Sequence, residues 1–248
     1  MINTQPQGDF EQLNVDSRLM DIFKSLIIPL GCSLPNSSEV VLHDLGKLPN
    51  SIVAIYGNAT GRSVGDPATD RLLRSFASNY FRTVVGYQTE LSDGRQLKSS
   101  TIILNNLEGI PIAALCINSD VSVWYQVQKI AESMTNSGLL QGSSADSPVP
   151  NHQTQSADTS DSPVEQDGEL FVRDVDELAH HLITDAIESS GVPVSLMKKS
   201  HKIEVVRTLR KCGVFLLKDA VDMVAEALEV SRFTVYNYVN EIEAAEQT

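Results

Sequence analysis

Apolar positions along this chain follow two rhythms. Before residue 138 short β-branched runs dominate, and beyond residue 168 apolar side chains return every three to four positions. Leu19, Ile22, Phe23, Leu26 and Ile27 are spaced as one face of a helix over 18–31, which Pro29 and Gly31 are expected to end. "EVVLHDL" (39–45) and "SIVAIYGN" (51–58) read as strands joined by a short turn. Further strands fall at about 83–90, 97–105 and 110–117, and "LSDGRQ" and "NNLEG" between them have the turn chemistry of antiparallel hairpins. "GRSVGDPATD" (61–70) reads as a loop entering a helix, with Asp66 as N-cap and Pro67 at the first helical position. A helix from Ser122 to Thr135 closes this half. The pattern predicts a small α+β domain over 15–137: five short strands, mostly antiparallel, with crossing helices and no internal repeat.

Residues 138–168, "GLLQGSSADSPVPNHQTQSADTSDSPVEQDG", hold no aromatic residue and are rich in Ser, Asp, Gln, Pro and Gly. Such a stretch buries too little apolar area to offset its ordering entropy, so a disordered linker is expected. Helices are predicted over about 170–189, 197–212, 217–228 and 231–244, making 169–248 an all-helical domain. Gly191-Val192-Pro193 and Cys212-Gly213 supply breaks.

Two of these helices carry matched stripes. Val221, Val224, Ala225 and Leu228 fall at i, i+3, i+4 and i+7, and Val235, Tyr238, Val239 and Ile242 repeat the spacing. Only Glu229, Val230 and Ser231 separate them, and Ser231 is placed to N-cap the second helix. That is a helix-turn-helix over 217–242. With Tyr238 in the core stripe, Ser231, Arg232, Phe233, Tyr236, Asn237 and Asn240 project from the other side, where a recognition helix meets base edges. Arg suits guanine, Asn suits adenine, and Phe233 suits a thymine methyl. The bland alternative is an αα-hairpin with a wet polar side; exposed aromatics beside an arginine weigh against it.

Charge sharpens this picture. The 248 residues carry a net charge of -13, but residues 138–190 hold 11 acidic and 1 basic side chain, while 191–248 hold 8 of each. The acidic balance therefore belongs to the linker region and does not argue against nucleic acid at the C-terminus. Seven basic residues from Lys198 to Lys218 face one acid, Glu204. Lys198, Lys199, Lys202, Lys218 and Thr234 are the candidate phosphate contacts. Three dispersed cysteines, no signal-peptide pattern and no membrane-length apolar run point to a cytoplasmic protein with no membrane partner.

"GVFLLKDAVDMVAEALEVSRFTVYNYVNEI" resembles the helix-turn-helix of DauR-type bacterial transcriptional regulators, matching at Gly213, Phe215, Lys218, Ala220, Val221, Val224, Ala225, Leu228, Val230, Ser231, Thr234, Val235, Tyr236 and Tyr238. "EVVLHDL", "SIVAI", "TGRSVGDPATD", "GRQLKSSTIILNN" and "GIPIAALCINSD" resemble the YheO-like PAS domain that accompanies it. The turn position usually filled by Gly is Glu229, so a positive φ there would carry strain. The resemblance implies a PAS fold, often enclosing a small-molecule pocket, and signal-responsive control of transcription.

Candidate effector contacts, on strand ends and loops, are His43, Asp44, Asn58, Arg62, Asp66, Lys98, Ser99, Cys116, Asn118 and Asp120. Arg62 reads either as a carboxylate clamp or as a loop arginine pairing with Asp66 or Asp70. His43-Asp44 reads as a polar pocket wall, or His43 as a satisfied structural histidine, and Cys116 reads as a small buried apolar residue. No metal-ligand spacing, cofactor motif or catalytic signature stands out, and "TGRSVG" lacks the Lys of a phosphate-binding loop. His180 and His181 diverge by about 100° on a helix and cannot share a metal. The expected function is a DNA-binding transcriptional regulator, homodimeric on double-stranded DNA, with a small-molecule effector in the first domain. A seam of Leu178, Leu182, Asp185, Ala186 and Ile187 is the expected dimer contact. The alternative is a protein–protein adaptor whose C-terminal helices bind protein.

Overall fold

The computed structural model describes residues 7–136 and 169–246. The expected linker at 138–168 lies outside the described residues. Five strands, β1 Ser38–Asp44, β2 Ile52–Tyr56, β3 Val84–Glu90, β4 Gln96–Asn105 and β5 Pro111–Asp120, form one sheet in the order β2-β1-β5-β4-β3. All neighbours are antiparallel. The order follows from the chain: β1–β2 and β3–β4–β5 are hairpin units, and β5 returns to pair with β1.

The sheet has two unlike faces because side chains alternate along each strand. Val40, Leu42 and Ala113 face outward onto α1 (Gln7–Ser33), where Met20 and Ile27 cover them. This helix runs through Pro29 instead of ending there. Its last turn is held by packing: Gly31 lies so close to the Tyr56 ring that no Cβ would fit. Tertiary contact thus outweighs one lost helical hydrogen bond.

The loop over 61–69 corrects another expectation. Helix α2 spans Asp70–Ala77, with Thr69 as N-cap, its hydroxyl accepting from the Leu72 amide at 3.3 Å. Asp66 closes the preceding turn by accepting from the Ser63 amide at 2.7 Å. The helix cannot start at Pro67 because the backbone there is engaged elsewhere: Gly65 donates to Ile52 and Ala68 to Pro49. Helix α3 (Ser122–Asn136) follows the sheet.

Four helices make the C-terminal part: α4 Val175–Ser189, α5 Lys199–Lys211, α6 Ala220–Ala227 and α7 Arg232–Glu246. The first begins at 175 rather than 170, because the Asp174 carboxylate caps it by accepting from the Asp176 amide at 3.1 Å. Residues 169–173 run as a non-helical strap. The stripe expected to be a dimer seam is spent inside the fold. Leu178, Leu182 and Ala186 are buried against Val206, Leu209, Val224 and Tyr238 of the other helices. Leu72, Leu73 and Ala114 of the first domain join the same cluster. Among the described residues no helix is long and apolar enough to cross a membrane.

Candidate nucleic-acid interface and polar cleft

The turn between α6 and α7 is a Schellman closure: Glu229 donates to the Glu226 carbonyl at 3.1 Å and Val230 to Ala225 at 2.9 Å. Glu229 takes φ +51, the conformation that glycine adopts most readily. Ser231 then caps α7, its hydroxyl accepting from the Thr234 amide at 3.2 Å and sharing a hydrogen bond with the Thr234 hydroxyl at 2.8 Å. Val235, Tyr238 and Ile242 point into the core.

The opposite face is open. Phe233 and Tyr236 are 73% and 55% exposed, large for aromatic rings with no internal role, and Arg232, Asn237 and Asn240 accompany them on the surface. Arg232 forms an ion pair with Asp222 of α6, which holds its guanidinium at the head of the helix. Ser231 and Thr234 serve the cap first, so any contact they make to a partner is shared with that duty.

The basic cluster is less free than its count suggests. Lys199 pairs with Glu241 at 2.8 Å, Arg210 with Glu243 at 3.6 Å and Arg207 with Glu204. The Lys202 ammonium donates to the Leu228 carbonyl at 2.6 Å, closing the end of α6 from α5. Its first role is structural. Lys198 is exposed at the start of α5, and Lys218, 4.0 Å from Asp219, is almost fully exposed.

The inner face of the sheet is unusual for a core: it is polar and buried. Glu39, His43, Ser99, Thr101, Cys116 and Asn118 are all buried there. Glu39 takes hydrogen bonds from the Thr60 amide at 3.0 Å, the Thr60 hydroxyl at 2.8 Å and the Asn118 amide group at 3.3 Å. It also pairs with Arg62 at 3.6 Å, the two side chains being 0% and 1% exposed. Arg62 therefore pairs with neither Asp66 nor Asp70. Its Nε donates to Thr60 at 3.0 Å, but its Nη1 is buried with no hydrogen-bond partner among the described residues. Orphaned buried donors are rare and costly, so one in a folded core calls for a specific explanation.

The remaining candidates separate. His43 shares a hydrogen bond with Ser51 at 2.8 Å, and burial, reinforced by the Arg62 charge, holds its pKa down to about 3, so the ring is neutral. Ser99 bonds Thr89 at 2.8 Å. Cys116 lies 3.6 Å from the Thr101 hydroxyl, and burial, then the Glu169 charge, pushes its thiol up to about 12. Asp44, Asn58 and Lys98 do not reach this face. Asp44 accepts from the Gly46 amide at 3.1 Å and pairs with Lys47, Asn58 is exposed, and Lys98 is on the outer side beside Gln88 and Trp124.

Sequence reasoning missed the cleft's lid. Glu169 of the strap is buried, accepts from the Tyr87 hydroxyl at 2.8 Å and is hydrogen-bonded to Thr69. Burial holds its carboxyl above the usual range, offset in part by those bonds. Leu170 donates its amide to Asp70 at 2.8 Å. The Phe171 ring lies 5.0 Å from the Arg62 guanidinium carbon, a cation–π contact, and Val172 enters the shared core. The available signals were the Asp174-x-x-Glu177 spacing, which starts a helix later than 170, and the two-residue period that turns Glu39 inward with Val41 and His43.

Residues 14–136 match the family model of the YheO-like PAS domain, and residues 178–240 that of an HTH domain. The chain is 26% identical to an uncharacterized protein of Haemophilus influenzae, over 94% of this chain and 95% of that one. It is 25% identical to the uncharacterized protein YheO of Escherichia coli K12, over 97% and 90%. It is 26% identical to the transcriptional regulator DauR of Pseudomonas aeruginosa, over 83% and 85%.

Proposed function

On the premise that this chain belongs to the family joining a YheO-like PAS domain to a helix-turn-helix domain, we propose that it is a DNA-binding transcriptional regulator whose PAS domain senses a small molecule. The carrying observation is the exposed face of α7, where Arg232, Phe233, Tyr236, Asn237 and Asn240 stand clear of a core held by Val235, Tyr238 and Ile242. A helix presented this way fits the major groove, with Arg and Asn reading base edges. Lys198 and Lys218 are the phosphate contacts least tied to internal partners. The likeness to DauR, a transcriptional regulator by name, supports the same reading.

One helix-turn-helix covers few base pairs, so the protein works as a homodimer on two half-sites. Since α4 is spent internally, the seam is better sought on α3, where Val123, Trp124, Val127 and Ile130 lie exposed along one side. The buried polar inner face of the sheet, with an Arg62 Nη1 that lacks a hydrogen-bond partner among the described residues, supports an effector site.

Selection of double-stranded DNA on the full-length protein tests the reading. An enriched motif with two spaced half-sites, lost in Arg232→Ala/Asn237→Ala, is expected. No enrichment by the folded protein would turn attention to Phe233 and Tyr236 as a protein-binding face.

A further inference from the structure

Four features converge on the strap. Its Glu169 carboxyl sits between Tyr87 and Thr69 on the inner face of the PAS sheet. Its Phe171 ring covers the buried Arg62 guanidinium. Arg62 Nη1 nonetheless lacks an acceptor among the described residues, so Glu169 accepts from Tyr87 without accepting from that nitrogen. A groove of about 520 Å³ runs along the strap, lined by Asp70, Glu90, Phe171 and Leu182 among others, and gives solvent a route to Glu169.

We propose that the cleft closed by Glu169–Phe171 is a binding site for a small carboxylate carrying an apolar or aromatic group, and that the strap occupies it as an internal stand-in for that ligand. The inference rests on reading the first domain as an effector sensor. The fold already contains the recognition chemistry: a carboxyl between two hydroxyl donors, and a planar ring over a guanidinium. What the strap leaves unmet is the Nη1 donor. Glu169 is tethered by the Leu170 amide bond to Asp70 and by Val172 in the core. A free acid is under neither restraint, and its carboxylate gains the Arg62 donor that Glu169 does not use.

Charge explains why the strap is displaceable. Arg62 is already matched by Glu39. Asp70, beside Glu169, adds a second negative charge that raises the Glu169 pKa further. The Arg62 charge and the hydrogen bonds from Thr69 and Tyr87 offset this only in part, so the buried carboxyl stays under-compensated and the cost of keeping it there opposes closure. Displacement also reaches the DNA-binding half. The strap leads through Arg173, which crowds Gly61, into the Asp174 cap of α4. A ligand that expels Glu169 and Phe171 detaches the first turn of α4 from the PAS domain.

The test uses the full-length chain and two probes, 3-phenylpropionate and its amide, titrated calorimetrically. In Glu169→Ala the strap's carboxyl is gone while its tether remains, so the acid no longer competes with it. The acid is expected to bind this variant at least tenfold more tightly than the native chain, because a site closed most of the time lowers apparent affinity by its open fraction. The amide should bind at least tenfold more weakly than the acid, and Tyr87→Phe in the Glu169→Ala background should weaken the acid severalfold. Equal affinity in the native and Glu169→Ala proteins, equal affinity for acid and amide, or no binding to a folded Glu169→Ala protein would each overturn the proposal. DNA affinity is read separately. Acid binding that leaves DNA affinity unchanged would sink the sensing function and leave the site standing.

Discussion

Tyr87 on β3 donates its hydroxyl to Glu169 at 2.8 Å, a hydrogen bond spanning 82 positions of sequence. The same oxygen lies 2.8 Å from the Thr101 hydroxyl, so Tyr87 links the sheet's inner face to the segment that precedes the DNA-binding helices. Burial, then the neighbouring Glu169 charge, keeps the phenol protonated across the physiological range. It therefore serves as a donor to the strap at any working pH.

The sign of the Glu169 shift sets a pH dependence for closure. Its folded pKa is raised, so its contribution is complete below the ordinary glutamate range and fades as pH rises through the raised value. The groups facing it are Thr69 and Asp70 at the start of α2, Arg62 in the loop before it, Tyr87 on β3 and the Cys116 thiol on β5. The Glu169→Gln protein cannot ionise there. Thermal melts from pH 5 to 8 should show the native chain losing stability relative to Glu169→Gln as pH rises. A difference independent of pH would contradict this.

His43 gives the opposite slope. Its pKa is held near 3, below the ordinary 6.5, so the neutral ring favours folding above that ordinary value. This contribution is lost as pH falls from about 6.5 towards 3, at up to about 1.4 kcal/mol per pH unit. An NMR titration should find the His43 ring unprotonated at pH 5. A midpoint near 6.5 would mean that the ring is wet.

Glu229 at φ +51 carries the strain that glycine would relieve. Glu229→Gly should stabilise the protein by roughly 1 kcal/mol, since left-handed backbone costs an L-residue about that much. The readout is the denaturant midpoint. Any loss of stability would show that the glutamate side chain holds the turn in some other way.

Lys202 and Lys218 should separate structure from binding. Lys202→Ala removes the donor to the Leu228 carbonyl and should cost about 1.5–3 kcal/mol of stability, the usual worth of a charged hydrogen bond. Lys218→Ala should leave stability within about 0.5 kcal/mol and flatten the salt dependence of DNA binding by about one phosphate contact. If Lys218→Ala leaves that salt slope unchanged, its ammonium does not meet phosphate.

The helix-turn-helix was legible because its evidence is periodic: Val224, Leu228, Val235, Tyr238 and Ile242 repeat at helical spacing and are buried accordingly. The strands were legible from their β-branched runs and turn chemistry. Long-range polar contacts have no period. Glu39–Arg62 and Tyr87–Glu169 join residues 23 and 82 positions apart, and neither partner carries a local mark of the other. The α4 stripe illustrates a further limit. Spacing identified an apolar face over Leu178, Leu182 and Ala186 but could not say that Leu209 and Val224, rather than a second copy, would cover it.

The burial of Leu72 and Leu73 beside Val206 and Leu209 bears on where this chain can be cut. A fragment ending at 136 would carry the whole sheet yet leave α2 with its apolar side bare and the inner face without Glu169, Phe171 or Val172. A fragment starting after 174 would lose the Asp174 cap and expose the other half of the same core. The seam suggested by composition is therefore a poor place for scissors. Excised pieces would be prone to stick to one another, or to themselves, through surfaces that the intact chain keeps closed.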